Sequence, residues 1–258
     1  MKSAFKSVAV FGFISKGFVY FVMGILSFLA AMNLGGESSG TNQALLFVKK
    51  QPLGQVLLLG LGFGLLCYSF WMFFQSIKDP EGIGSDLKGK SKRFGLFTTG
   101  LVYTVVASLT FYHFFSKTPD QGSGPMYQIL VDAPTLSMIF IGIGCILGIQ
   151  AIILIIGVFK GGLLAQFNLE GRQFSGLVKK LGQFGFYSRA FIVGILAYFF
   201  IRSGTYAGSH EIKGIEDAFS FLEHSPFGSI TMGFTAMGFV SYGLFYILLS
   251  KYRNFEDE

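Results

Sequence analysis

The chain has 258 residues, of which 52% are apolar, 17% aromatic and only 13% charged, and it includes 32 Phe. This composition is too apolar for a soluble domain of that length. The net charge of +6 reflects 20 Lys and Arg against 14 Asp and Glu. We therefore expect a protein whose solvent is a lipid bilayer.

Six stretches satisfy the requirement for a spanning helix, which is about 20 mostly apolar residues. They predict an all-α membrane protein with six transmembrane helices in a single integral membrane domain, residues 1–258, because no other segment is long enough to form a soluble core. The first stretch is not interpreted as a secretory signal, since it is too long and contains Lys16. The stretches are Val8–Met32, Leu53–Ile77, Phe94–Phe115, Thr135–Val158, Phe184–Ile201 and Phe227–Leu249.

The first, third and fifth stretches open with one shared pattern, G-x-x-[ST]-[KTR]-[GA]-[FL]-[VI], which begins at Gly12, Gly95 and Gly185. Self-similarity at a regular spacing indicates repeated structural units. The pattern predicts three two-helix units, approximately residues 8–77, 94–158 and 184–249. Because each unit crosses twice, all three have the same orientation, and we expect a bundle with pseudo-threefold symmetry.

The second helix of each unit follows a proline, namely Pro52, Pro134 or Pro226, and proline is tolerated in the first turn of a helix. A short segment with helical apolar spacing precedes each of these prolines, most clearly the first and the last. We expect them to form interfacial helices on the outer face, with Thr41 as the N-cap of the first. Their apolar residues are Ala44, Leu45, Phe47 and Val48 in one and Ile215, Ala218, Phe219 and Leu222 in the other.

The distribution of basic residues predicts the orientation, because short cytoplasmic loops carry an excess of Lys and Arg. With both termini in the cytoplasm, the inner side holds fifteen of the 20 basic residues, and the acidic residues divide evenly. The net charge is therefore explained by topology, with no nucleic-acid partner. The basic run 88–93 is interpreted as a loop of this kind, although it could also attract anionic lipids.

Small residues at helical spacing predict close contacts between helices, which lipid alone does not drive. Packing explains these residues without a nucleotide ligand. They are Gly17, Gly24, Gly60, Gly64, Gly100, Gly144, Gly148, Ala190 and Ala197.

Acidic residues are confined to the loops and tails of the predicted topology, which argues against a proton-coupled transporter. The sequence contains no hydrolase motif and no motif-spaced histidines, and Cys67 and Cys145 have no metal-binding spacing. We therefore expect no catalytic residue, no metal and no cofactor. Gln75, Gln150 and His113 are interpreted as packing or interfacial residues.

One position of the repeated pattern carries a cation in two units, Lys16 and Arg189, and a hydroxyl, Thr99, in the third. Starting the helices after the cations would leave too few residues to span, so both lie within the membrane, in its cytoplasmic third. They either snorkel outward to lipid headgroups, the interpretation we favour, or join Thr99 in a cup for an anion or lipid headgroup. The tyrosines of the repeat either line a path or pack, and packing is the interpretation we favour; they are Tyr20, Tyr68, Tyr103 and Tyr242.

These signatures resemble the bacterial membrane proteins grouped as domain of unknown function 1206, over the whole chain. The resemblance implies three tandem two-helix units and no established activity. Thr99 and Gln150 depart from the pattern. The matching residues are Ser15, Lys16, Gly17, Gln51, Pro52, Gly54, Gly64, Tyr68 and Trp71, with Arg189, Pro226, Gly228, Gly238 and Tyr242 in the third unit.

Three functions are consistent with the sequence. The first is a non-enzymatic protein of the bacterial cytoplasmic membrane that binds lipids, including anionic ones, or a membrane partner. The second is a transporter or channel for a small anion, although the signature motif of mitochondrial-type carriers is absent. The third, a membrane enzyme, is the least favoured.

Overall fold

A computed structural model describes residues 2–35, 40–80, 82–116, 133–161, 175–205, 215–224 and 227–252. Within these ranges all regular structure is helical, as the sequence predicts. The predicted start at Pro226 and the loop cation Arg172 lie outside the described residues. The helices are α1 (Lys2–Ala31), α2 (Thr41–Lys50), α3 (Gly54–Lys78), α4 (Leu87–Phe115), α5 (Ala133–Phe159), α6 (Ser175–Thr205), α7 (Ile215–Glu223) and α8 (Gly228–Tyr252).

Six of these helices are long and apolar enough to cross a membrane, which confirms the predicted number of spans. Helix α6 begins at Ser175, well before the predicted Phe184, because a helix keeps its backbone hydrogen bonds beyond the apolar region. The six spans make this a candidate multi-pass membrane protein. They are Lys6–Ala31, Gly54–Lys78, Lys92–Phe115, Ser137–Phe159, Gly176–Thr205 and Gly228–Lys251.

The two short helices α2 and α7 form where the sequence predicts them. Helix α2 packs on α1, α3 and α4, and α7 packs on α6 and α8. The N-cap of α2 is Gly40, whose amide donates to the Gln43 side chain at 3.2 Å. The predicted cap, Thr41, is instead the first residue of the helix, and its hydroxyl lies 3.9 Å from the Met23 sulfur.

The spans pack in the order α4, α3, α1, α8, α6, α5, with the pair α1 and α8 at the centre. Along the described residues α4 and α5 do not pack against each other. The other pairs of spans that follow one another in the chain do. The first and third units therefore have joined helices, whereas the two helices of the middle unit stand apart. Threefold symmetry, the unit boundaries and the cytoplasmic position of the termini remain predictions.

Glycine allows the closest approaches, and it does so in the same way in the first and third units. A Cβ placed on Gly12 would lie 2.6 Å from the Tyr68 Cα, and one on Gly185 would lie 2.6 Å from the Tyr242 Cα. The corresponding glycine of the middle unit, Gly95, has no such neighbour within 4 Å. The pattern glycine thus meets its partner helix in two units and open space in the third.

The small residues singled out by sequence occupy varied environments. Gly17 and Gly24 lie against the backbone of α8, and Gly64 lies against the Ser15 side chain of α1. By contrast, Gly60 has no neighbour within 4 Å, and Gly148 meets only the Ala197 Cβ at 3.8 Å. Three others lie in contacts between units or are buried: Gly100 beside Phe73, Gly144 beside Ile201, and Ala190 at 1% exposure.

Candidate functional site

Two cations and five tyrosines form a cluster at the centre of the bundle, which we call the tyrosine cluster. Its residues come from five helices: α1, α3, α4, α6 and α8. Within the part of the chain that the structure describes, α5 contributes none of the contacts of this cluster. The members are Lys16, Tyr20, Tyr68, Tyr103, Arg189, Tyr242 and Tyr246.

Lys16 is enclosed by aromatic rings, with a relative exposure of 1%. Its Nζ donates a hydrogen bond of 2.7 Å to the Tyr68 hydroxyl. The same atom lies 3.8 Å from the centroid of the Tyr246 ring, 4.6 Å from that of Tyr68 and 5.1 Å from that of Tyr103. The faces of these rings carry negative charge, so they attract the ammonium group.

Arg189 enters the cluster from α6 and retains partial exposure. Its guanidinium donates to the Tyr242 hydroxyl, and its Cζ lies 5.3 Å from the centroid of that ring and 5.9 Å from that of Tyr20. The Lys16 Nζ is 5.5 Å from the centroid of the same Tyr242 ring. The two cations therefore share one aromatic neighbour.

The two cation contacts are counterparts in the first and third units. In each, the cation of the first helix donates to a tyrosine on the second helix of the same unit, Lys16 to Tyr68 and Arg189 to Tyr242. The backbone of each acceptor tyrosine is also the surface that Gly12 or Gly185 packs against. Close helix packing and the cation–tyrosine hydrogen bond thus occur together.

The acceptors of the cluster's hydrogen bonds are tyrosine hydroxyls, both for the two cations and between tyrosines. Tyr242 and Tyr246 hydroxyl oxygens are 3.4 Å apart, and those of Tyr103 and Tyr20 are 3.5 Å apart. Lysine and arginine can only donate, so hydroxyl oxygens are the acceptors available here. Among the described residues no carboxylate forms an ion pair with either cation. The ion pair found in this part of the chain joins Arg93 and Asp79. The cluster is therefore rich in donors and positive charge.

The cluster lies deep in the spans. Lys16 is ten residues from Lys6, where its span begins, and Tyr68 is ten residues from Lys78, where its span ends. At 1.5 Å per residue each distance is about 15 Å, in spans of 26 and 25 residues that are longer than a hydrocarbon core about 30 Å thick requires. Both residues therefore lie well inside their spans, and their position in the cytoplasmic third stays a prediction. Charge inside a span is costly, which makes the cluster a candidate functional site.

The favoured interpretation of the two cations, outward snorkelling, is wrong for this structure. Lys16 is almost fully buried and Arg189 binds an inward tyrosine, because the tyrosines supply hydroxyl acceptors that the acyl chains of lipid lack. The Thr99 hydroxyl donates to the Gly95 carbonyl of its own helix at 2.8 Å and makes none of the contacts that define the cluster among the described residues. The contribution of α4 to the cluster is instead Tyr103, one turn further along.

Tyrosines supply most of the cluster, and sequence reasoning treated four of them as packing residues and overlooked Tyr246. The corresponding position in the first unit is Met72, so the repeat gave no reason to select it. Its spacing of four residues from Tyr242 places both on one helix face, which was the available signal. Repeated residues identify shared structure, whereas this residue is specific to one unit.

Other polar residues considered from sequence lie away from the cluster. His113 is buried near the C-terminal end of α4, and its Nε2 lies 2.6 Å from the Asn42 Oδ1 of α2. Nearby, the Lys49 Nζ donates to the Ser116 carbonyl at 2.7 Å, so both contacts fasten α2 to α4. No group of three potential metal ligands occurs among the described residues.

The basic run 88–93, expected from sequence to be a loop, instead forms the first turns of α4, and Arg93 within it contributes to a junction with the end of α3. The Asp79 carboxylate accepts from the Ile83 and Gly84 amides at 2.7 and 2.9 Å, and Arg93 lies 3.9 Å from it. These groups, the Gly84 amide above all, hold the pKa of Asp79 below its usual value. Arg93 also donates to the carbonyls of Ser76 and Ile77, which end α3. This arginine therefore closes a turn.

Comparison with known proteins supports the resemblance noted in the sequence. The sequence model of the Domain of Unknown Function (DUF1206) matches residues 11–79 and 184–253, more than half of the chain. The chain belongs to the DUF1206 family. The two matches contain both cations of the tyrosine cluster and four of its five tyrosines, and the fifth, Tyr103, lies between them.

One curated relative extends the similarity to nearly the full length. It is "Uncharacterized protein YxxB" of Bacillus subtilis (strain 168), which is 29% identical over 94% of this chain and 89% of its own. No solved structure matches the chain. Membership of DUF1206 therefore brings no activity with it, and the argument for function depends on the cluster.

Proposed function

We propose that this DUF1206 protein is a non-enzymatic membrane protein that binds an anionic group between Lys16 and Arg189. The observation that carries the proposal is the pairing of two deep cations with tyrosine hydroxyls and with no carboxylate among the described residues. A phosphate, sulfate or carboxylate group would supply the charge and the acceptors that the cluster lacks.

Electrostatics supports an anion as the missing component. Removing a charge from water costs several kcal/mol even after relaxation, and two like charges placed together add repulsion. A cation over an aromatic ring recovers about 0.5–2 kcal/mol, and a hydrogen bond to a charged group about 1.5–3 kcal/mol. These contacts offset only part of the cost for a pair of cations. A bound anion would interact favourably with both at once.

Binding can be measured with inorganic phosphate and sulfate on the purified protein. Trp71 is the only tryptophan of the chain and lies three residues from Tyr68, so its fluorescence reports on the cluster. We expect saturable quenching or enhancement in the native protein. Arg189→Leu should abolish it without loss of helix content or monodispersity.

A matched control removes a cation from the same helix. Arg202 is exposed on α6 and contacts the hydroxyl of Tyr198, outside the cluster. Arg202→Leu should bind as the native protein does. Equal binding by native protein and Arg189→Leu would overturn the proposal, as would equal loss in both variants.

Transport of a small anion is a second candidate, and the partial exposure of Arg189 favours it. A cation that the protein does not fully enclose could accept an ion and release it. Uptake of radiolabelled phosphate into proteoliposomes tests this directly. Uptake that depends on Arg189 but not on Arg202 would establish transport, and uptake equal to that of protein-free vesicles would leave binding without transport.

A further inference from the structure

Lys16 and Arg189 form one site rather than two, because the same tyrosines join them. The Tyr242 hydroxyl accepts a hydrogen bond from Arg189, and the centroid of the Tyr242 ring lies 5.5 Å from the Lys16 Nζ. Tyr246 makes a second link, since its ring centroid is 3.8 Å from the Lys16 Nζ and its hydroxyl is 3.4 Å from that of Tyr242. A ligand held by one cation is therefore also attracted by the other.

The charge of this pair determines the charge of the ligand that suits it. Lys16 is almost fully enclosed, and the Tyr68, Tyr242 and Tyr246 side chains around it are buried, so water screens its charge little. An anion with one negative charge would leave one positive charge uncompensated among the rings. An anion with two negative charges would neutralise the pair, and an uncompensated charge inside a protein is the costly case.

The hydrogen-bonding groups of the cluster favour an oxyanion as the carrier of that charge. Lysine and arginine have several N–H donors each and no acceptor. Lys16 directs one donor to the Tyr68 hydroxyl at 2.7 Å, and Arg189 directs one to the Tyr242 hydroxyl. The N–H and O–H donors of the cluster outnumber its hydroxyl oxygens, and every oxygen of an oxyanion can accept.

We propose that the cluster selects an oxyanion with two negative charges, such as sulfate or hydrogen phosphate, over an anion with one. This inference rests on the proposed anion site and names the charge class of its ligand. Lys16 is the specificity-determining residue, because Arg189 alone compensates only a single negative charge. The same chemistry occurs in a free dianion and in the phosphomonoester headgroup of a lipid, whereas a phosphodiester headgroup carries one negative charge.

Sulfate and perchlorate are matched probes, because both are tetrahedral oxyanions of similar size that keep their charge at neutral pH. Perchlorate has one negative charge and loses its hydration more readily, since the cost of dehydration rises with the square of the charge. A preference for sulfate must therefore come from the protein. Dissociation constants are measured through Trp71 fluorescence in an uncharged detergent.

The native protein should bind sulfate about tenfold more tightly than perchlorate, a modest part of what compensation of a buried charge can supply. Lys16→Met should lose that preference and still bind perchlorate through Arg189. Lys16→Gln, which keeps a polar side chain, should behave in the same way, so the result does not depend on one substitution. Lys6→Met is the matched control, because Lys6 is an exposed lysine of the same helix, and it should keep the native preference.

A second arm distinguishes a lipid source of the dianion from a free one. Sulfate titrations are repeated in nanodiscs of phosphatidylcholine that contain phosphatidate, or phosphatidylglycerol at equal surface charge. Weaker apparent sulfate binding with phosphatidate than with phosphatidylglycerol would assign the ligand to a lipid phosphomonoester, and equal binding would assign it to a free anion. Stronger competition by phosphatidylglycerol would contradict the charge class.

Two further results would overturn the charge selection and leave the anion site in place. One is equal affinity of the native protein for the two anions, or a preference for perchlorate. The other is a sulfate preference that Lys16→Met and Lys16→Gln both retain. Equal sulfate binding by the native protein and Arg189→Leu, or no binding of either anion to the native protein, would instead overturn the site itself and the selection with it.

Discussion

Replacement of Lys16 by methionine should stabilise the protein when no anion is present. Methionine has a similar length and fills the space between the rings without a charge. The change sacrifices one charged hydrogen bond to Tyr68 and the attraction of the surrounding rings. It also removes the cost of one deep cation and its repulsion with Arg189.

The expected magnitude follows from these opposing contributions. Buried ionic groups replaced by apolar residues of similar volume are commonly neutral or stabilised by about 1–4 kcal/mol. Here no carboxylate compensates Lys16 among the described residues, so a gain of about 2 kcal/mol is a reasonable central value. For a chain of this size each kcal/mol shifts the melting temperature by about 2–4 °C. We therefore expect a rise of roughly 4–8 °C in Tm.

The assay compares Tm in a neutral detergent with and without phosphate. The native protein should gain stability from phosphate, and Lys16→Met should gain much less. The double variant Lys16→Met with Arg189→Gln should be less stable than the sum of the single effects predicts, because each single change already relieves the same repulsion. A fall in Tm for Lys16→Met without phosphate, or an equal phosphate gain in both proteins, would refute the reasoning.

Two further predictions test the packing and the junction between α3 and α4. Gly12→Ala should destabilise the protein by about 1–3 kcal/mol, because the added Cβ would meet the Tyr68 backbone at 2.6 Å. Gly95→Ala should be neutral or slightly stabilising through helix propensity. Thermal unfolding of the two variants measures the difference. Asp79→Asn should loosen the junction at neutral pH, which hydrogen exchange of the Gly84 amide reports. A carboxyl whose pKa is lowered in the folded protein contributes stability above its unfolded pKa of about 3.9, and loses that stability as the pH falls through the folded pKa. The native junction should therefore loosen only at a pH below about 3.9. The Asp79→Asn junction should not respond to pH there.

The number and positions of the spans could be predicted because a bilayer accepts few alternatives. Backbone groups in lipid must bond internally, so about 20 apolar residues are read reliably as a helix. The same length argument placed Lys16 and Arg189 inside their helices. It says nothing about direction, since a lysine points inward or outward according to residues far away in the chain. The residues that decided it include Tyr103 and Tyr246, 87 and 230 positions from Lys16.

The lack of packing between α4 and α5 along the described residues illustrates a second limit. Gly95 carries the same pattern as Gly12, and a small residue permits a close contact without requiring one. What the pattern glycine meets depends on the partner helix, where Gln150 replaces the tyrosine of the other units. That substitution was visible in the sequence. Its structural meaning was not, because the role of the tyrosine as acceptor for the cation emerged only from the contacts.

Charge and packing in this fold are therefore two aspects of one arrangement. In the first and third units a cation on the first helix reaches a tyrosine on the second, and the backbone of that tyrosine lies against the pattern glycine. The middle unit has a hydroxyl and an amide at these positions, so it has neither the cation–tyrosine bond nor the close contact. Because the two losses coincide, the unit without a cation is the unit whose two helices do not pack against each other along the described residues.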